Sequence, residues 1–225
     1  MYKYDTHVHT SPVSACAWYD VKTNLEFYKS LGYDGVFISN HFLDGNIGGD
    51  RSDTYENQIE FYFSDYEKGL KIGKQIGIKV FLALEMSYKG TDFLVFGLDK
   101  QWFLNNPQIM QMSVNEKFNF MRKQGAFVSQ AHPYREAGYI DHIRLFPRCV
   151  DAVETFNANR TDFENKMAGI YAENYNLYET AGTDNHAGPE QKKLAGMQCK
   201  EPVNSVEDFI EKLKNEEFSF FEINL

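Results

Sequence analysis

Tyr4-Asp-Thr-His-Val-His-Thr10, YDTHVHT in one-letter form, closes the first apolar run of the chain on two histidines separated by a single residue. On an extended strand, positions i and i+2 leave the same face, so His7 and His9 can share one metal site. The same device recurs in AGTDNHA, residues 181–187, where Asp184 and His186 are again two apart. Between them, His41 in GVFISNHF, Glu85 in VFLALEMSY and His132 in AFVSQAHPY also stand at or just past the ends of short apolar runs. Five of the six histidines therefore occupy strand ends; the sixth, His142 in YIDHIR, does not and is expected on the surface. A single strand-end histidine is most often structural. One metal cluster accounts for all five together.

Working outward from the first strand, short runs rich in Val, Ile and Phe alternate with helix-like segments. Further strands are expected at Gly35–Ser39, Lys79–Glu85, Asp92–Gly97, Ala126–Gln130, Ala152–Phe156, Tyr178–Thr183 and Phe218–Ile223. Helices are expected around Leu25–Leu31, stopping at Gly32, and at Tyr55–Gln75, Val114–Lys123, Phe163–Asn176 and Val206–Asn215, the last N-capped by Ser205. A long loop is expected at Asp44–Asp53 and a turn at Asn105-Asn106-Pro107. This βα alternation predicts an α/β fold with about seven units closed into a barrel, one domain spanning residues 1–225, with function at the strand C-terminal ends. In a closed barrel the first and last strands are neighbours, which would bring the two His/Asp pairs to one mouth.

Composition narrows the partners. With 23 Lys+Arg against 32 Asp+Glu the formal charge is -9, which disfavours nonspecific attraction to nucleic acid or anionic membranes. The first residues lack an apolar h-region and no stretch approaches the length of a membrane span, so a soluble, cytoplasmic protein is expected. Cys16, Cys149 and Cys199 are too few and too scattered for a disulfide framework or a zinc ribbon. Imidazole mixed with carboxylate suits Zn, Mn or Fe better than Ca or Mg.

Taken in order, HVHT, SNH, LEM, AHP and TDNH resemble the PHP family of metal-dependent phosphoesterases, which includes histidinol-phosphatase-like enzymes and polymerase-associated exonuclease domains. The resemblance runs from Asp5 to His186. It implies a distorted (β/α)7 barrel, two or three divalent metal ions, and hydrolysis of phosphate esters through a metal-bridging hydroxide. By motif, His7, His9, Glu85 and Asp184 would bind one metal and His41 with His186 a second. His132 would serve a third or bridge with Glu85, and is also a candidate general acid.

Three departures stand out. A few residues after HxH the family usually places another Asp or His; here the nearest metal-competent side chain is Cys16, one inserted residue out of line, which as a thiolate would favour Zn or Fe(II) and otherwise is a small buried hydrophobe. Leu98 lies near the position at which three-metal members carry another histidine, with Asp99 able to reach inward. Asn40 replaces a carboxylate that would orient His41.

Arg135 in AHPYRE and Arg160 in ETFNANR are candidate phosphate contacts. Glu154 is a candidate support for a ligand, and Asn157 and Asn159 for the lining of the mouth. Tyr88, Tyr134 and Tyr139 are either stacking surfaces or packing. The favoured partner is a small phosphorylated substrate. The alternatives are a 3′ exonuclease or phosphodiesterase, a noncatalytic metal-binding module, and an amidohydrolase-like enzyme, the last weakened by the absence of a lysine at a matching strand end.

Overall fold

A computed structural model describes all 225 residues, with ten strands and six α-helices. In chain order these are β1 (Tyr2–Val8), α1 (Val21–Ser30), β2 (Gly35–Ile38), α2 (Tyr55–Ile76), β3 (Lys79–Leu82), β4 (Leu84–Tyr88), β5 (Thr91–Phe96) and α3 (Lys100–Asn105). They continue with α4 (Val114–Lys123), β6 (Phe127–Ala131), β7 (Ala152–Asn157), α5 (Asp162–Tyr175), β8 (Tyr178–Gly182), β9 (Lys193–Cys199), α6 (Val206–Lys214) and β10 (Ser219–Asn224). Side-chain caps explain where the helices begin. Thr54 caps α2, Ser113 and Thr161 form capping boxes with Glu116 and Glu164 on α4 and α5, and Ser205 caps α6. No helix is long and apolar enough to cross a membrane.

The expected closed barrel of parallel strands is replaced by two five-stranded sheets, ordered β10-β9-β1-β2-β3 and β4-β5-β6-β7-β8. The difference has two local causes. Lys89 and Gly90 both adopt positive φ (50° and 80°), the geometry of a two-residue hairpin turn, so β5 runs back antiparallel to β4. The unexpected strand β9 pairs antiparallel with β1, and Gly196 permits it: a Cβ there would lie 2.2 Å from the carbonyl oxygen of Tyr4.

The sheets meet along two seams. At the first, the chain passes from β3 to β4 through Ala83, and Glu85 N–H donates to the Asn40 carbonyl at 3.1 Å, so β4 carries on beside the segment that follows β2. At the second, Asn185 N–H donates to the His7 carbonyl (3.2 Å) and His9 N–H to that of Asn185 (3.0 Å), joining the end of β1 to the segment after β8. Asp5 ties this seam as well, accepting from Tyr28 OH at 2.8 Å and from both the backbone and the hydroxyl of Thr183. Away from the histidines, α6 inserts Phe209 against Phe37 of one sheet and Phe96 of the other (ring centroids 4.6 and 5.5 Å). This apolar plug leaves the opposite end, where the polar side chains gather, as the open mouth.

Candidate metal centre

His7 is the penultimate residue of β1 and His9 follows that strand, so alternation sends both rings to one side. Nδ1 of His7 lies 2.9 Å from Oε1 of Glu154, which accepts the Nδ1 proton and turns Nε2 toward Glu85 Oε1 (3.2 Å) and Asp184 Oδ1 (3.5 Å). Gly182 makes this approach possible, since a Cβ there would lie 2.6 Å from the Cβ of His7.

The tautomer of His9 is fixed by a chain of hydrogen bonds. Thr10 N–H donates to Oδ1 of Asn40 (2.7 Å), which settles the orientation of that amide. The Ser14 hydroxyl must then donate to the same oxygen (2.8 Å), so Ser14 Oγ accepts from Nδ1–H of His9 (3.0 Å) and from the backbone N–H of His41 (3.0 Å). Nε2 of His9 is left with a free lone pair, 3.4 Å from Glu85 Oε2 and 3.3 Å from Asp184 Oδ1. Asn40, standing where a carboxylate would orient His41, acts through Ser14 on the His9 ring and on the His41 backbone.

His41 and His186 face each other, their Nε2 atoms 3.3 Å apart, and His186 donates from Nδ1 to the Asp184 carbonyl (3.0 Å). Nδ1 of His41 is 2.7 Å from Glu85 Oε2 but off the hydrogen-bonding direction, so neither atom gains a partner. His132 reaches Glu85 Oε1 at 3.3 Å, and its backbone N–H donates to Glu154 Oε2 at 3.0 Å. Cys16, partly buried, lies beside His41 and His186.

Five buried atoms at this point have no hydrogen-bond partner: Nε2 of His7, Nε2 of His9, Nδ1 of His41, Oε2 of Glu85 and Oδ1 of Asp184. Each such group costs about 1–3 kcal/mol when left unpaired. Divalent cations bound in this cluster would engage them all. Three overlapping cradles, His7/His9/Asp184, His7/Glu85/His132 and His9/His41/His186, each keep their ligand atoms within 4.8 Å of one another. The residues present fit the metals that the motifs imply.

The electrostatics point the same way. Burial opposes charge on His7, but the carboxylates of Glu154, Asp184 and Glu85 outweigh it and hold its pKa well above the usual range. Burial, with His186 and His41 alongside, drives His9 well below that range, so His9 is neutral and keeps a lone pair to offer. Burial also opposes charge on His41 and His186, yet Glu85, Asp184 and Cys16 raise both to about 10. The Cys16 thiol is pushed up by burial and pulled down further by those two imidazoles, to about 6. Glu85 and Asp184 stay ionised, their desolvation outweighed by the surrounding histidines.

No family model matches the sequence, and no curated protein does. Solved structures do match. A two-domain protein from Bacteroides vulgatus containing a predicted PHP-like metal-dependent phosphoesterase superposes with TM-score 0.73 at 16% identity, over 98% of this chain. The two proteins share a fold. This chain spans 64% of the length of the Bacteroides protein. A candidate metal-dependent phosphoesterase from Bifidobacterium adolescentis gives 0.61 at 14% identity, over 94% of this chain and 95% of its own. An amidohydrolase from Chromobacterium violaceum, with bound sulfate and no metal, gives 0.59 at 11%, over 96% and 97%. At these identities the likeness is one of fold.

Within this fold two expectations are corrected. Leu98 is buried in the apolar core and Asp99 caps α3 by accepting from Trp102 N–H (2.8 Å), so neither reaches the centre. A strand running toward the mouth would have carried Asp99 there. Because β5 runs away from the mouth, the acidic residue it brings there is Asp92, near its start.

Arg135 is tied to Asp92 Oδ2 (2.7 Å) and to the Gly90 carbonyl (3.2 Å). Arg160 has a buried, unpartnered Nε and makes no ion pair with the cluster. Its neighbour Asn159 donates to the Asp184 carbonyl (2.8 Å) and accepts from Gln191 (2.7 Å), bracing Asp184 at a φ of 59°. Gln191, well beyond any motif, carried no signal in the sequence. Tyr88 packs edge-on against Phe146, Tyr139 lies over Arg135, and His142 sits exposed beside Asp141 and Arg144.

Proposed function

We propose that this protein is a metal-dependent hydrolase of phosphate esters, acting on a small phosphorylated substrate as a phosphomonoesterase. The observation that carries the reading is the convergence of five buried, unpartnered ligand atoms from His7, His9, His41, Glu85 and Asp184. His7, His9, Glu85 and Asp184 would hold one ion, and His41, His186 and Cys16 a second. His132 would meet a third or share Glu85. Such ions supply Lewis acidity toward phosphoryl oxygens and a nucleophile drawn from water at a pKa lowered toward about 7.

The chain's own residues prepare the site. Glu154 and Ser14 fix the tautomers of His7 and His9, and Asn159 braces Asp184. If no third ion is held there, His132, whose Nε2 lies 3.3 Å from Glu85 Oε1, would be the group to hand a proton to the departing oxygen. Arg135, bonded to Asp92, lies close enough to Glu85 and Asp184 for their charges to raise its pKa, and would be the cation offered to the phosphoryl group.

The net charge of -9 disfavours a nucleic-acid strand as substrate. Elemental analysis of protein purified without chelator, with a screen of phosphate monoesters including histidinol phosphate, tests the proposal. Two or more equivalents of Zn, Mn or Fe with monoesterase activity are expected. Metal-loaded protein that cleaved only single-stranded DNA, or only C–N bonds, would overturn it.

A further inference from the structure

We propose that Asp92 is a positioning residue that holds the Arg135 guanidinium beside the metal centre as a subsite for a substrate oxyanion. The inference rests on the function proposed above and names how that site grips its anion.

The register of the β4–β5 hairpin supplies the first observation. Glu85 pairs with Leu94 and Ser87 with Asp92, and directly paired residues project to the same side. Ser87 and Asp92 therefore stand one row nearer the turn on the face that carries Glu85. On its other side Asp92 pairs with Ala131, the residue before His132.

Asp92 is only 3% exposed, where an unpaired carboxylate is unfavourable. Both of its oxygens are engaged: Oδ1 accepts from Ser87 Oγ (2.6 Å) and Oδ2 from Arg135 Nη2 (2.7 Å). The same Nη2 donates to the Gly90 carbonyl (3.2 Å), so the hairpin turn and Asp92 grip one corner of the guanidinium. Nε remains buried without a partner. The ring of Tyr139, 72% exposed, lies over the guanidinium at 5.8 Å and covers one face.

A guanidinium is suited to oxyanions because its planar donors match two oxygens at once. Placed alone beside several divalent ions it would be repelled. Paired with Asp92 it adds no net charge, and Nη1, engaged by neither Asp92 nor Gly90, is left to meet the oxyanion.

The test uses metal-loaded protein, with inorganic phosphate as the probe followed by calorimetry and metal content followed by elemental analysis. Asp92→Ala and Arg135→Ala are each expected to weaken phosphate binding about ten-fold or more, the loss typical of one charge-assisted hydrogen bond. The double variant should be no weaker than Arg135→Ala alone. Metal content should hold, KM for a monoester should rise more than kcat falls, and Asp92→Asn, which keeps an acceptor oxygen, should recover part of the loss.

Unchanged phosphate affinity in Asp92→Ala and Asp92→Asn would overturn the inference, as would loss of metal in either, which would make Asp92 a support for the ligands. Wild-type protein that binds metal but neither phosphate nor any phosphate ester would instead overturn the function on which the inference rests.

Discussion

Oε1 of Glu154 lies 2.9 Å from Nδ1 of His7, and neither side chain is accessible to solvent. Through its other oxygen the same carboxylate accepts the backbone N–H of His132 and the side-chain amide of Asn157 (3.0 and 2.9 Å). Glu154 thus serves two of the three cradles without facing a metal. Glu154→Gln keeps the shape and removes the charge; metal affinity should fall about 10–100-fold, the usual consequence of losing a ligand's hydrogen-bonded support. Chelator competition on the purified variant measures this, and affinity within two-fold of wild type would contradict it.

Ser14→Ala removes the acceptor that holds His9 Nδ1–H and the His41 backbone N–H. Two buried donors would be stranded, at a cost of about 1–3 kcal/mol each. A drop in the urea midpoint with an unchanged slope, together with less metal bound per chain, is the expected result.

Metal affinity should rise with pH. In metal-free protein His41 and His186 hold their protons up to about 10, so a cation binding at pH 7 must displace them. The stability these two imidazolium groups lend is complete below the ordinary histidine value of 6.5 and is lost as pH climbs through about 10. Raising pH across that window therefore loosens the metal-free fold while favouring the metal-bound one. Zinc titrations at pH 6, 7 and 8 against a chromophoric chelator, corrected for the chelator's own protonation, should show tightening at each step. A flat profile would contradict it.

Cys16→Ser should change which metal the protein prefers. With its thiol lowered to about 6, Cys16 presents a thiolate to the His41/His186 side of the centre at neutral pH. The cobalt-loaded protein should show a sulfur-to-cobalt charge-transfer band that the variant lacks, and the variant should select less strongly for zinc over manganese. An identical cobalt spectrum in both would remove Cys16 from the ligand set.

Much of the centre could be read from the chain because its signals are local. His7 with His9, and Asp184 with His186, announce themselves by a two-residue spacing at strand ends, and His41, Glu85 and His132 by following or closing apolar runs. The tie between Asp92 and Arg135, the path from Asn40 through Ser14 to His9, and the brace from Gln191 depend on which strands are neighbours and in which direction they run. One hairpin at Lys89-Gly90 inverts β5 and exchanges Asp99 for Asp92 at the mouth. Strand β9 escaped notice because KLAGMQC lacks the alternation of a strand, and its pairing rests on Gly196 lying against Tyr4. The helices were legible from their caps and apolar faces, except α3, whose six residues are too few to show a period.

The two seams between the sheets have a mechanical consequence. His7, His9 and His41 belong to the β1–β2 side, while Glu85, His132, Asp184 and His186 belong to the β4–β8 side, and every one of the three cradles draws ligands from both. A cation in any of them would add a cross-link between halves already joined by Ala83, by the backbone and Asp5 contacts of the second seam, and by the apolar plug around Phe209. Metal loading should therefore raise the midpoint of unfolding, because filled cradles fasten at the mouth two sheets that the metal-free protein fastens chiefly at the plug.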